Sequence, residues 1–292
     1  MKVTIGDSTG SAAIDSIGAQ LVSLKNADGT EYLWQGNPEY WSGQAPVLFP
    51  MVGALRDGKT WIDGKEYEMK QHGFARRMEF ELLDANQSSA TFALRSSEET
   101  KQQYPFDFEL KVTYRFFQSA LTTEFSISNL GKIPMPFAVG GHPAFNCPLS
   151  QDEKFEDWAI EFEKNETANC PQVVKQKGLI DFGKRSALLN NEKTISLRHS
   201  LFENDALIFD SLQSRKVKLF SRKSLHGVEM EFEGFDYLGI WSAANNAPFV
   251  ALEPWTGCAT AEDEDNQFCR KRGMKLLEPL QSAIRKFTVT VL

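Results

Sequence analysis

Two short motifs carry the residue types that proton transfer requires. The first, Gly140–Pro143, holds His142 between two glycines and a proline. Glycines permit unusual backbone conformations and the close approach of another group, and a proline biases the residue before it toward an extended geometry. The second motif, Phe249–Gly257, places Glu253 at the end of an apolar run. Burial raises the pKa of a carboxyl group, which suits a general base. The two motifs predict an acid–base pair with Trp255 as an apolar wall beside it.

Each motif also has a purely structural interpretation. A histidine in a tight corner is often held there for packing, because positioned groups are frequently structural. A glutamate at a strand end is commonly exposed. The local sequence leaves both interpretations open for His142 and Glu253. The settings of His199 and His226 are polar and turn-like, so these two histidines are interpreted as surface residues.

Three further residues are suited to binding a polar ligand. His72 lies in the loop Gln71–Arg77, beside a glycine and close to two arginines. Arg56 ends an apolar run, and its planar guanidinium donates several hydrogen bonds in a fixed geometry. Asp205 opens a short strand pattern, although the same pattern is typical of a turn aspartate. Asp210, in the same segment, is an alternative to Asp205.

Alternation of apolar and polar residues dominates the chain and predicts β-strands. It is unbroken from Phe106 to Phe116 and resumes from Thr122 to Ser128 after a short connection, so these segments predict a hairpin. Further strands are predicted at 20–24, 90–94, 158–162, 217–220, 228–232, 237–241, 249–252 and 287–291.

Helical signals are sparse. Ser96–Glu99 resembles a capping box that opens a short turn of helix, and Asn37–Tyr40 has the pattern of another single turn. The polar stretch 164–190 is weakly patterned and is expected to be irregular. Many strands joined by short turns predict an all-β fold, namely a large antiparallel β-sandwich, formed by a single domain over residues 1–292.

Composition excludes several classes of protein. The net charge of −7 argues against a general nucleic-acid binder, whose affinity depends on cationic side chains. The longest apolar stretch, 45–55, contains two prolines and is too short to span a membrane. The N-terminus lacks the pattern of a signal peptide, and the four cysteines form no C-x-x-C pair. We expect a soluble, cytoplasmic protein without a membrane or nucleic-acid partner.

Taken together, the motifs resemble those of the aldose 1-epimerases (galactose mutarotases), especially their LacX-like branch. The resemblance runs along nearly the whole chain, through six motifs and a C-terminal stretch: Ala45–Pro50 with Arg56, Gln71–Ala75, Tyr104–Phe108, Gly140–Asn146, Asn204–Phe209, Leu252–Gly257 and Gly273–Leu292. The histidine and glutamate motifs are the more specific ones. The chain departs from the better-known galactose mutarotases in the residues around His142 and Glu253, so the resemblance does not imply galactose as the sugar.

The resemblance implies a fold, an activity and a set of roles. The fold is the galactose mutarotase-like supersandwich, with a monosaccharide bound in a surface cleft. By matching positions, Glu253 is the general base and His142 the general acid, while Arg56, His72 and Asp205 bind the substrate. The family needs no metal, nucleotide or flavin, so no cofactor is expected.

The function expected from these roles is interconversion of the α and β anomers of a free aldose. One alternative is the same reaction on a hexose 6-phosphate, with Arg76 or Arg77 binding the phosphate. Another is a non-catalytic carbohydrate-binding protein, because a fold does not fix a function. A glycoside hydrolase would need two carboxylates flanking the bond, for which Asp205 and Glu253 are the available pair.

Overall fold

A computed structural model describes all 292 residues and confirms the predicted all-β fold class. The strands are β1 (Lys2–Asp7), β2 (Gly10–Asp15), β3 (Gln20–Asn26), β4 (Val47–Leu48), β5 (Lys59–Ile62), β6 (Lys65–Glu68), β7 (Glu81–Ala85), β8 (Ser89–Arg95), β9 (Phe108–Phe117), β10 (Ala120–Asn129), β11 (Met135–Phe137), β12 (Gly140–Gly141), β13 (Ala144–Asn146), β14 (Trp158–Val174), β15 (Leu179–Ser196), β16 (Leu207–Phe209), β17 (Lys216–Ser221), β18 (Gly227–Glu231), β19 (Tyr237–Trp241), β20 (Phe249–Trp255), β21 (Lys275–Leu277) and β22 (Ser282–Val291).

Helical structure is limited to short segments. The single α-helix is α1 (Glu98–Lys101), and five 3-10 turns occupy Arg56–Gly58, Ala75–Arg77, Phe155–Asp157, His199–Phe202 and Phe268–Arg270. None of these helices has the length and apolar character that would let it cross a membrane.

Antiparallel pairing joins the strands into two large sheets and three small ones. The larger sheet has nine strands in the order β15-β14-β17-β18-β22-β10-β9-β8-β7. The second has six strands, in the order β16-β19-β20-β12-β4 with β13 also paired to β20. Strands β1 to β3 form a three-stranded sheet, and β5-β6 and β11-β21 form two-stranded ones.

The hairpin predicted from alternation is present as β9 and β10. Its two-residue connection, Gln118-Ser119, has positive φ at both positions, as a tight hairpin turn requires. Apolar side chains from alternate positions of these strands enter a core of 63 buried residues, whereas the intervening positions, apart from Thr113, are partly or fully exposed. Period-two patterning therefore fixes which face of the nine-stranded sheet is buried.

The six-stranded sheet is the element that assembles the candidate site. Strand β20 lies between β19 and the short strands β12 and β13, and all seven of its residues are buried. A strand buried on both faces reads as a continuous apolar run, which is the pattern of Phe249–Leu252.

Two expectations about local structure are wrong. The stretch 164–190 is not irregular, because most of it belongs to the long strands β14 and β15. Four register shifts between these strands break the alternation, and exposure of many residues removes the apolar signal. In α1 the capping box uses Ser97 and Thr100, not Ser96 and Glu99, since the Thr100 hydroxyl accepts a hydrogen bond from the Ser97 amide at 2.9 Å.

Candidate active site

His142 and Glu253 lie together on the six-stranded sheet. His142 follows β12, and Glu253 occupies the neighbouring strand β20. The distance between Nε2 of His142 and Oε2 of Glu253 is 3.2 Å, and their side chains are 9% and 2% exposed. Oε2 nevertheless has no hydrogen-bond partner of acceptable geometry, so this oxygen is available to a ligand.

The glycines before His142 are required for close packing. A Cβ atom on Gly140 would lie 2.7 Å from Cδ1 of Trp255, and one on Gly141 would lie 2.7 Å from Cε1 of Phe287. Neither glycine has a positive φ, so glycine is required here by the close approach of other residues and not by an unusual backbone conformation. The contact at Gly140 brings β12 against β20, which carries Glu253, whereas the contact at Gly141 packs β12 against Phe287 of β22.

Aromatic rings fix the orientation of the His142 imidazole. Trp41 stacks on it with ring centroids 4.8 Å apart, and Trp241 meets it edge-on at 5.6 Å. Nδ1 of His142 is buried without a hydrogen-bond partner. Catalytic histidines are commonly oriented by a hydrogen bond to the second ring nitrogen, whereas His142 is oriented by stacking against Trp41.

Burial shifts the pKa values of both groups in the direction that favours the neutral form: it raises the pKa of Glu253 and lowers that of His142. Burial is the main cause of the rise in the Glu253 pKa, and the charge of Asp205 adds to it. Burial lowers the pKa of His142 to about 3, with a further contribution from the positive charge of Arg76. In the free protein, therefore, the pair holds a single proton over a wide pH range.

The cavity around this pair has a volume of about 300 Å³, at the lower end of the usual range for ligand pockets, ~300–1,000 Å³. Its polar lining consists of Gln71, His72, Arg76, His142, Asp205 and Glu253, and its apolar lining includes Trp41, Ile208, Trp241 and Trp255. The predicted apolar wall at Trp255 is thus present, and the structure brings His72 and Asp205 to the same cavity as the His142–Glu253 pair.

His72 is held as a hydrogen-bond donor. Its backbone has a φ of 64°, and its Nδ1 accepts a hydrogen bond of 3.1 Å from the amide of Gly53. Burial and the charges of His142, Arg76 and Arg77 lower its pKa well below the usual value, so the ring is neutral. A neutral imidazole that accepts at Nδ1 carries its proton on Nε2.

Asp205 is the acceptor on the other side of the cavity. It lies two residues before the start of β16, with a φ of 79°. Asp205 is exposed at its surface, but desolvation by the residues around the cavity raises its pKa, although the Ala206 amide and Lys175 act in the opposite direction. Asp210, the alternative considered from sequence, does not line the cavity and forms an ion pair of 2.6 Å with Arg185.

Arg56, which the family resemblance assigns to substrate binding, does not line the cavity in this structure. Its Nε donates to Oδ1 of Asn266 at 2.9 Å, and its Nη2 donates to backbone carbonyls of the segment that follows β20. These acceptors are about two hundred residues away along the chain and could not be foreseen from the local pattern.

The arginine on the cavity wall is instead Arg76. Burial and the neighbouring Arg77 lower its pKa to about 10, so it stays charged near neutral pH. The arginine ion pairs of the structure involve Arg95, Arg115, Arg185, Arg270 and Arg272, and Arg76 takes part in none of them. From the sequence, Arg76 was expected only as an alternative phosphate contact. Trp41 and Trp241 could not be identified as site residues, because their only signal was their aromatic character.

Comparison with known proteins identifies the family. The family model described as aldose 1-epimerase matches residues 1–267. The chain belongs to the aldose 1-epimerase family. It is therefore an isomerase with a general mutarotase role. Family membership disfavours the alternative hypothesis of a non-catalytic carbohydrate-binding protein.

Several relatives and solved structures are similar to this epimerase. The plasmid-encoded protein LacX of Lactococcus lactis subsp. lactis is 41% identical over 285 residues, or 95% of each chain. A protein of Escherichia coli (strain K12) named for 1-epimerisation of glucose 6-phosphate is 31% identical over 142 residues, covering 40% of this chain and 45% of that protein.

Among solved structures, the galactose mutarotase related enzyme of Lactobacillus acidophilus is 35% identical with a TM-score of 0.95, covering 100% of this epimerase and 97% of that chain. The galactose mutarotase-like protein of Lactobacillus casei ATCC 334 is 30% identical with a TM-score of 0.93, covering 100% of both. These neighbours confirm the galactose mutarotase-like fold expected from the sequence motifs.

Proposed function

We propose that this epimerase interconverts the α and β anomers of a free aldose by opening and reclosing the sugar ring. The observation that carries the proposal is the 3.2 Å approach of His142 and Glu253 in the wall of a ligand-sized cavity. The hydroxyl oxygen and the ring oxygen of an aldose are both bonded to C1. Two groups this close together can contact both oxygens at once.

The reaction requires two coupled proton transfers. Glu253 removes the proton of the C1 hydroxyl, and the C1–O5 bond breaks with its electron pair moving to O5, which takes a proton from His142. Rotation about C1–C2 then presents the other face of the aldehyde. On reclosure O5 returns its proton to His142 as it attacks C1, and the aldehyde oxygen recovers a proton from Glu253. No co-reactant is consumed.

The single shared proton matches this scheme. The pair holds the same number of protons in two forms. In one form Glu253 is protonated and His142 is neutral; in the other Glu253 is ionised and His142 is protonated. A C1 hydroxyl that donates to the carboxylate favours the ionised form of Glu253, because a hydrogen bond to the charged form lowers the pKa. Binding of the sugar thus moves the proton to His142, where the ring oxygen needs it.

The remaining polar residues of the cavity are proposed to orient the sugar. His72 offers the Nε2–H group, and Asp205 offers a carboxylate that accepts from hydroxyls. The indoles of Trp41 and Trp255 supply flat apolar surface for the C–H faces of the ring. These four side chains complete the substrate site.

The wild-type protein is expected to accelerate the equilibration of freshly dissolved α-glucose or α-galactose, followed by polarimetry or proton NMR. Burial lowers the pKa of His142 to about 3, so this residue should set an acid limb of kcat/KM near pH 3. Asp205 also titrates in the acid range, because desolvation raises its pKa, so the pH profile is measured on Asp205→Asn. In that variant we expect kcat/KM to fall by less than twofold between pH 6.0 and pH 3.5. An active site limited by a carboxyl group of ordinary pKa would lose about sevenfold over that range.

Two measurements accompany this assay. The spontaneous rate of each sugar is subtracted at every pH, and tryptophan fluorescence verifies that the protein remains folded at pH 3.5. Absence of acceleration with both sugars would contradict the proposal of a free aldose as substrate.

A second candidate function is mutarotation of a hexose 6-phosphate. The observation in its favour is the unpaired guanidinium of Arg76 on the cavity wall, since arginine is well suited to binding phosphate. The name of the Escherichia coli relative points the same way, although that relative matches only 40% of this chain.

Replacing Arg76 with methionine separates the two candidates. A charged hydrogen bond contributes ~1.5–3 kcal/mol, so loss of a phosphate contact should lower kcat/KM for glucose 6-phosphate by about 10- to 100-fold. The value for glucose should change by less than about threefold. Arg77→Met is the control, because Arg77 is exposed and does not line the cavity. Equal effects of Arg76→Met on both sugars would remove the case for a phosphate site.

A further inference from the structure

One wall of the cavity is supplied by a distant hairpin. Val173, Gly178 and Ile180 line it, and they lie where β14 turns into β15. The body of this hairpin forms the edge of the nine-stranded sheet, whereas the catalytic pair lies on the six-stranded sheet. Register shifts along β14 and β15 bend such a hairpin, which lets its end reach the second sheet.

Backbone hydrogen bonds anchor the hairpin end to the segment that follows β20. The amide of Ile180 donates to the carbonyl of Thr260 at 3.1 Å, and the amide of Glu262 donates to the carbonyl of Ile180 at 2.9 Å. An isolated parallel bridge joins Ile180 to Ala261. The position of this wall therefore depends on the position of segment 260–266.

Segment 260–266 contains no strand or helix of its own, and Arg56 binds much of its length. Nη2 of Arg56 donates to the carbonyls of Ala261 and Glu262 at 3.0 Å each and to that of Glu264 at 3.3 Å. Nε donates to Oδ1 of Asn266 at 2.9 Å. A single guanidinium thus joins four residues of an irregular segment, an arrangement that a lysine ammonium does not reproduce.

Apolar packing at this wall is limited, which increases the weight of the polar anchor. Ile180 and Ala259 belong to a cluster of eight buried residues, separate from the 63-residue core. Regions with few buried apolar contacts open locally at lower free energy than the core.

We propose that Arg56 is a positioning residue, which holds the end of the β14–β15 hairpin as a specificity-determining wall of the sugar site. It does so through segment 260–266, without touching the sugar. The kinetic part of this inference rests on the proposed mutarotase function. The structural part, the link from Arg56 to the hairpin end, stands independently of the substrate.

Hydrogen exchange measures the structural link without substrate. In Arg56→Lys the amides of Ile180 and Glu262 should exchange about tenfold faster or more, because their local opening becomes easier. Amides of β9 and β10 should be unchanged. The control is Arg115→Lys, since Arg115 is an exposed residue whose ion pair with Glu124 lies far from the hairpin end. Unchanged exchange at Ile180 and Glu262 in Arg56→Lys would overturn the inference and leave the proposed function intact.

A double-mutant cycle measures the kinetic link, using whichever of α-glucose and α-galactose reacts faster. If a wall contributes the same binding energy to the ground state and to the transition state, its loss raises KM and leaves kcat within about twofold of the wild-type value. We expect KM to rise about tenfold in Arg56→Lys and about fivefold in Val173→Ala, estimates based on the loss of one or two apolar contacts. In the double variant KM should stay near tenfold, because a displaced wall no longer contacts the sugar through Val173.

The matched control for the wall is Val174→Ala, since Val174 is also half-buried but does not line the cavity. A KM increase of about fiftyfold in the double variant would show two independent effects and would overturn the proposed link. A wild-type protein without mutarotase activity would instead defeat the proposed function, and the exchange experiment would still test the anchor.

Discussion

Glu253→Gln is expected to lower kcat for anomer interconversion by ~10²–10⁴, the usual contribution of a positioned acid–base group. The amide has nearly the same size as the carboxyl group, which is 2% exposed, so packing is preserved. An amide does not accept the proton of the C1 hydroxyl. Polarimetry with α-glucose or α-galactose measures the loss. Glu229→Gln is the control, because Glu229 pairs with Lys218 on the nine-stranded sheet. A variant that keeps more than a tenth of wild-type kcat would contradict the role of Glu253 as base.

The same substitution should not destabilise the protein. The pKa of Glu253 is raised in the folded state, so its ionisation costs stability as pH rises from the ordinary value of 4.5 toward the folded pKa. Below pH 4.5 both states hold the proton and the cost disappears. The free energy of unfolding of Glu253→Gln, measured in urea, should therefore be equal to or higher than that of wild type at pH 7.5. The difference should shrink at pH 4.0.

The histidine and glutamate could be located from sequence because each lies in a local pattern with a physical cause. A carboxylate at the end of an apolar run is costly to bury without a purpose. In the structure Glu253 occupies a fully buried strand, and the glycines before His142 permit the close packing of β12 against β20 and β22. Strand alternation was equally informative for β9 and β10, where one face is buried and the other is not.

Features that depend on long-range pairing could not be read in the same way. The acceptors of Arg56 lie in segment 261–266, and its local pattern contains no trace of them. The hairpin formed by β14 and β15 is exposed over much of its length and interrupted by register shifts, so neither apolar alternation nor composition marked it. Trp41 reaches His142 through a turn at Asn37 and gains its role only from stacking across the cavity.

His142→Gln is expected to lower kcat by ~10²–10⁴, because O5 loses its proton donor as the C1–O5 bond breaks. Glutamine also removes the ring that stacks on Trp41 at 4.8 Å. His142→Phe is the companion variant, since it keeps an aromatic ring beside Trp41 but has no ionisable nitrogen. Both variants should lose kcat to a similar extent, whereas the thermal unfolding midpoint should fall more for glutamine than for phenylalanine. A phenylalanine variant with near-wild-type kcat would assign His142 a packing role.

His72→Gln distinguishes the proton donor from a binding histidine in the same cavity. The two imidazole centroids are only 5.8 Å apart, so proximity alone does not separate their roles. His72 is held neutral by burial and by its acceptor contact with the Gly53 amide, and it offers the sugar one Nε2–H donor. A hydrogen bond made equally in ground state and transition state affects KM, so KM should rise about tenfold in His72→Gln with kcat within about threefold of wild type. If His72→Gln instead loses kcat as deeply as His142→Gln does, the donor to O5 is His72, and His142 serves to position Glu253.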